Sequence, residues 1–141
     1  MSGFLLDTNV ISELVRPRPD SRVTRWLDST DEDLLFLSVL TLGEIRKGIT
    51  TLTDHARKGR LEAWLSGNLL PRFEGHILPI DQAIAERWGQ ITGSLAAQGS
   101  PLPVIDGLLA ATALDNNLTL VTRNTRDVAL TGVPVFDPWT A

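Results

Sequence analysis

The chain has 141 residues, the size of one domain, long enough to bury a core that needs no disulfide or metal staple. Its 43% hydrophobic and 21% charged residues exclude intrinsic disorder, and the lack of any cysteine excludes thiolate nucleophiles, iron–sulfur clusters and Cys-type zinc sites. A net charge of −4, from 13 basic and 17 acidic residues, argues against a surface held to nucleic acid or membrane by bulk positive charge. It leaves open a nucleic-acid enzyme whose metal ions supply positive charge locally.

In chain order, Phe4-Leu5-Leu6 reads as a short apolar strand ending at Asp7. A helix over about Thr8–Val15 follows, stopped by Pro17 and Pro19, and Asp20 or Ser21 caps a second helix carrying Val23, Trp26 and Leu27. Leu34–Leu37 reads as a buried strand. Leu42, Ile45, Ile49 and Leu52 recur at helical spacing, and a further helix is expected over about His55–Leu70. Ile77–Ile80 reads as a strand, after which Asp81 caps a long helix with Ile84, Trp88, Ile91 and Leu95 inward. Gly99, Pro101 and Pro103 make a loop before a helix over about Ile105–Leu114 that buries Leu108, Leu109, Thr112 and Ala113. Leu118–Val121 is a strand and Val133–Phe136 an edge strand. The longest apolar run, Leu34 to Leu42, is broken by Ser38 and Thr41 and falls far short of the roughly 18–20 residues of a membrane span. With no basic leader region, the expectation is a soluble cytoplasmic protein.

Strands alternating with helices predict a single α/β domain over residues 1–141, with a mostly parallel central sheet flanked by helices. Ligands bind such sheets at the carboxyl ends of the strands. The residues there are Asp7-Thr8-Asn9, Ser38, Asp81 and Thr122-Arg123-Asn124. Each acid also has a structural reading. Asp7 and Asp81 suit helix N-caps, and Thr41-Leu42-Gly43-Glu44 matches a capping box, unless the helix starts nearer Ser38. Asp106 sits where a helix dipole favours an anion, and Asn124 and Asp127 are ordinary loop residues. Together they say more. Several acids from separate segments fall near one end of one sheet, and their repulsion calls for cations. Oxygen-only donors favour Mg²⁺ or Mn²⁺, which can activate water and stabilise a leaving oxygen in phosphodiester cleavage. His55 and His76, the only histidines, do not lie at strand ends, so a metal-free acid–base pair is disfavoured. No zincin, P-loop, dinucleotide or serine-hydrolase motif is present. The arginines cluster at Arg16, Arg18, Arg22 and Arg25 and at Arg57 and Arg60. Most read as solvated surface, though a few could guide a phosphate backbone.

Four segments carry a resemblance: Leu6-Asp7-Thr8-Asn9-Val10-Ile11-Ser12-Glu13, Ser38-Val39-Leu40-Thr41-Leu42-Gly43-Glu44-Ile45, Ile105-Asp106-Gly107-Leu108-Leu109-Ala110-Ala111, and Leu120-Val121-Thr122-Arg123-Asn124 with Asp127. In this order and spacing the chain resembles the PIN-domain ribonucleases, specifically VapC-type toxins of the FitB-like branch. The resemblance implies a Mg²⁺- or Mn²⁺-dependent endoribonuclease, usually homodimeric, held inactive by a cognate DNA-binding antitoxin, sometimes in a higher toxin–antitoxin assembly. It carries the metal-ligand role onto Asp7, Glu44 and Asp106. Thr8, Asn9, Ser38 and Thr122 are then candidates to orient those carboxylates. Many relatives have Asp where this chain has Asn124, and Asp127 is the candidate replacement. The expected substrate is structured RNA such as tRNA or ribosomal RNA. The alternatives are a DNA-directed nuclease of the same centre and a non-enzymatic signalling or protein-binding module. A receiver-like module needs a lysine after a late strand, whereas Lys47 and Lys58 are early.

Overall fold

The computed structural model describes residues 3–141. Five short strands, β1 (Phe4–Leu6), β2 (Leu35–Ser38), β3 (Ile77–Leu78), β4 (Thr119–Val121) and β5 (Val135–Phe136), form one sheet in the order β3-β2-β1-β4-β5. Every pairing is parallel, with Leu5 opposite both Phe36 and Leu120. The mostly parallel sheet expected from sequence is thus parallel throughout the described residues. Parallel neighbours need crossovers, and these are supplied by α1 (Thr8–Leu14), α2 (Ser21–Ser29), α3 (Val39–Thr50), α4 (His55–Trp64), α5 (Leu70–Arg72), α6 (Gln82–Ala97), α7 (Val104–Asp115) and α8 (Thr125–Ala129).

The period of two along each strand divides the core. In β1, Leu6 packs with Val10, Ile11, Val23, Leu27, Ile45 and Ile49 from α1–α3, whereas Leu5 packs with Leu109, Ala110 and Ala113 of α7. In β4, Val121 and Leu120 divide in the same way. Such a strand is apolar on both faces, so it reads as a continuous run rather than an alternation. The helix α7 lies between the sheet and α6 and buries Gly107 and Leu109 through Ala113. Its face against α6 is so close that a Cβ on Gly107 would stand 2.8 Å from Thr92 Cγ2 and 3.1 Å from the Trp88 ring.

The boundaries differ from the sequence expectation for identifiable reasons. Leu34 closes a 3₁₀ turn (Glu32–Leu34) capped by Asp31, so β2 starts one residue later. β3 stops before Pro79, which has no N–H to give a ladder. The helix expected over 55–70 instead widens into a π-helical turn at Leu65–Leu69 before α5. Pro71 stands just beyond it. A proline ring cannot take the α-helical place against the carbonyl four residues back, and the wider turn relieves that clash. Leu52 lies past the end of α3, and Leu42 and Leu108 are only half-buried.

Candidate active site

The acids are gathered by strand ends and helix starts. Asp7 follows β1, and its backbone N–H donates to the Val121 carbonyl at 2.9 Å, so the ladder itself fixes where its side chain starts. Asp7 also caps α1: its Oδ1 accepts from Thr8 N–H at 2.7 Å. Capping and site roles therefore coexist. Glu44 is not part of a capping box, because α3 begins at Val39 with Ser38 as its N-cap, placing Glu44 in the second turn. There it meets Thr8, whose hydroxyl donates to Glu44 Oε1 at 2.5 Å across 36 residues of sequence. Asp106 is in the first turn of α7, whose N-cap is Pro103. Asp7, Glu44 and Asp106 line one cavity of 990 Å³, with Thr8, Asn9 and Asn124.

Thr122, fully buried at the end of β4, organises the Asp7 side. Its hydroxyl donates to Asp7 Oδ2 at 2.8 Å and accepts from Asn124 N–H at 3.0 Å and from Asn9 Nδ2 at 3.3 Å. With its acceptor positions taken, its one proton points at the carboxylate. Asn9 Oδ1 is buried without a partner among the described residues. Ser38 does not join this network; its hydroxyl accepts from Leu40 N–H at 3.0 Å and caps α3. Asn124 leads into α8 without a side-chain cap bond, so its amide is not spent on the loop. Asp127, in the first turn of α8, does not line the cavity, but its charge reaches Asp106. Asp81 caps α6 through Ile84 N–H at 2.9 Å.

Burial pushes the Asp7 carboxyl above its ordinary value against the two hydrogen bonds that hold it down, and repulsion from Asp106 and Glu44 adds to the rise. Burial, then Asp127, then Glu44 push Asp106 up in the same way. Asp106 accepts no hydrogen bond within the described residues, so its oxygens stay available. The donors are all oxygens, which suits a hard divalent cation. As placed, no three of the described Asp, Glu or His residues close around a common point. A Mg²⁺ ion usually keeps several of its own waters, so carboxylates that stand apart in this way still suit it.

Sequence reasoning missed several residues around this centre. Thr41, fully buried, stands 3.4 Å from the Thr8 hydroxyl. Glu13, 5% exposed, also lines the cavity, but it is spent on the α1–α2 loop, accepting from Asp20 N–H at 2.8 Å and Arg16 at 3.3 Å. Trp139 borders the cavity too, beside Arg123, which the sequence already placed at a strand end; their contact joins two separate segments and leaves no local signal.

The PIN domain family model matches residues 4–131. Toxin FitB of Neisseria gonorrhoeae is 42% identical over 136 residues, covering 96% of this chain and 98% of that protein. VapC ribonuclease Y4jK of Sinorhizobium fredii is 32% identical, covering 96% and 97%. The crystal structure of FitAcB from Neisseria gonorrhoeae superposes with a TM-score of 0.94 at 40% identity, covering 98% of this chain and 99% of that one. A five-stranded parallel sheet with its acids collected at the strand ends, and sequence similarity along nearly its whole length, place the chain in the PIN domain family.

Proposed function

We propose that this chain is a divalent-metal-dependent endoribonuclease and the toxin of a toxin–antitoxin pair. The observation that carries this reading is the convergence of Asp7, Glu44 and Asp106 on one cavity in a chain of this family. Names among its relatives support it: a toxin, and a VapC ribonuclease. Asp7, Glu44 and Asp106 would hold Mg²⁺ or Mn²⁺, which lowers the pKa of water and offsets charge on a departing oxygen. Hydrolysis adds the water oxygen to phosphorus, breaks one P–O bond and leaves a proton on the departing oxygen. The protein's own part is positioning. Thr122 and the Thr8 N–H fix both oxygens of Asp7, the Thr8 hydroxyl turns Glu44 toward it, and the packed α7 start presents Asp106 without a competing donor.

The cavity continues from the acids along Ile45, Ile49, Leu52, Leu61 and Trp64. An amphipathic segment of a small antitoxin fits this apolar arm, with a basic side chain reaching the carboxylates. The net charge of −4 favours such a partner. A homodimer rests on family resemblance alone. The four tryptophans do not argue for it, because Trp139 is buried and Trp26, Trp64 and Trp88 are at least half-buried within the one chain. Sedimentation at micromolar concentration decides it, a dimeric species being the expected result.

The deciding experiment incubates the purified chain with matched RNA and DNA oligonucleotides plus structured RNA. Cleavage of RNA that stops in EDTA and returns with Mg²⁺ or Mn²⁺ is expected, and Asp7→Asn and Asp106→Asn should abolish it. Full cleavage in excess EDTA, or by both variants, overturns the site. Preferential cleavage of DNA overturns the substrate class.

A further inference from the structure

Arg123 follows β4 and lines the same cavity as the three carboxylates. Its guanidinium carbon stands 5.1 Å from the Trp139 ring centroid, and that indole is only 4% exposed, packed in the core beneath it. A fixed aromatic face holds the guanidinium by a cation–π contact and leaves its N–H groups free. Among the described residues Arg123 makes no ion pair, unlike Arg16, Arg22, Arg46, Arg72 and Arg87. The carboxylate whose charge it does reach, Asp20, is already engaged by Arg22 at 3.2 and 2.8 Å. The site therefore pairs a cluster of acids with an oriented, unneutralised donor fork.

Carboxylates alone repel a polyanion, and cations held among them offset that only at the phosphate being cut. A neighbouring phosphate needs its own contact, and a guanidinium offers two parallel N–H groups to its non-bridging oxygens. We infer that Arg123, laid on Trp139, binds a backbone phosphate of the RNA strand adjoining the one that is cleaved. This inference rests on the nuclease reading above. Arg123 is not a member of the acid centre. It positions the strand relative to that centre, and its partner chemistry is a phosphodiester.

The test measures binding of a 5′-fluorescein single-stranded RNA by anisotropy over a range of salt, using the full chain carrying Asp106→Asn so that the strand stays intact. Adding Arg123→Gln should weaken binding and reduce the slope of log affinity against log salt by about 0.7, one single-strand phosphate contact. A fourfold rise in salt then costs the Arg123 chain about 2.6-fold more affinity than its Arg123→Gln counterpart. Arg123→Lys should keep the slope while losing part of the affinity, because the charge stays and the fork does not. Arg87→Gln, which removes the same charge from α6 outside the cavity, should leave the slope unchanged. In the otherwise native chain, Arg123→Gln should raise KM with little change in kcat. An unchanged slope and affinity in Arg123→Gln, with an unchanged melting temperature, overturns the inference and assigns the arginine to protein contact. An equal slope change in Arg87→Gln overturns it in favour of net charge. A native chain that cuts RNA while Arg123→Gln behaves as native refutes this contact alone, whereas a native chain that neither binds nor cuts RNA refutes the nuclease reading as well.

Discussion

Thr122 shows how much a neutral side chain can decide at the scale of one residue. Its buried hydroxyl is donor to Asp7 and acceptor for both Asn9 and Asn124, so it ties β1, α1 and the β4–α8 loop at one oxygen. Thr122→Val keeps the shape and removes the hydrogen bonds. Leaving buried polar groups unsatisfied costs about 1–3 kcal/mol, which thermal or denaturant unfolding would register. Because that hydrogen bond is the largest influence holding the Asp7 carboxyl down, its loss pushes the carboxyl further up. The Mg²⁺ concentration for half-maximal cleavage should then rise, most strongly at low pH. Asn124 offers the opposite change. It lines the cavity, and its amide caps nothing. A unit charge at about 4 Å and an effective dielectric near 20 interacts by about 4 kcal/mol before desolvation and screening, and even about 1.4 kcal/mol is tenfold in affinity. Asn124→Asp should therefore lower the Mg²⁺ midpoint, while Asp127→Asn raises it only if Asp127 substitutes as a ligand. An unmoved Mg²⁺ titration in Asn124→Asp strikes that position from the site.

At the scale of elements, the acid on α7 is placed by a helix contact rather than by its own neighbours. Gly107 lets α7 approach α6, and a methyl group there collides with Thr92 Cγ2 and the edge of Trp88. Gly107→Ala should destabilise the fold by about 1–3 kcal/mol, the range for overpacking, and lower activity by shifting the adjacent Asp106. Thr92→Ser removes the Cγ2 while keeping the hydroxyl that donates to the Trp88 carbonyl at 2.7 Å. Much of both losses should return in the double variant. A Gly107→Ala chain with native melting and native rate would show that the helices have slack. The same scale shows why Glu44 was ambiguous in sequence. Thr41-x-x-Glu44 is a good capping box until the helix start is known. Ser38 as N-cap places Glu44 on the helix interior, where it faces Thr8 of another helix.

For the whole molecule, the acids make metal-free stability depend on pH. Asp7 and Asp106 are both raised above their ordinary value of 3.8, chiefly by burial. The folded chain then holds protons that the unfolded chain has released, so these groups reduce stability as pH rises from about 3.8 through their folded values. In EDTA, the melting temperature of Asp106→Asn should gain on that of the native chain as pH rises from about 3.8 toward neutrality. Mg²⁺ at neutral pH should raise the native melting temperature, because it binds only the folded form, and should do so less for Asp106→Asn. A native chain whose melting is indifferent to Mg²⁺ would count against these acids as ligands.

The α/β class, the alternation of strands and helices, and the acids at strand ends were legible in the linear chain. Its apolar runs and helical stripes are local patterns, and local patterns survive without knowledge of partners. The four motifs likewise lie within short stretches, which is why the family resemblance was legible before the fold. Which polar groups meet depends on the packing of the whole fold. Thr122 turned out to hold Asp7, and Thr8 to face Glu44, because parallel pairing brings residues 36 to 115 positions apart to the carboxyl end of one sheet. That packing also lays Arg123 on Trp139. Such contacts join distant segments, and the physical reason they escape a linear reading is that their geometry is set by the crossovers between them, not by the residues on either side.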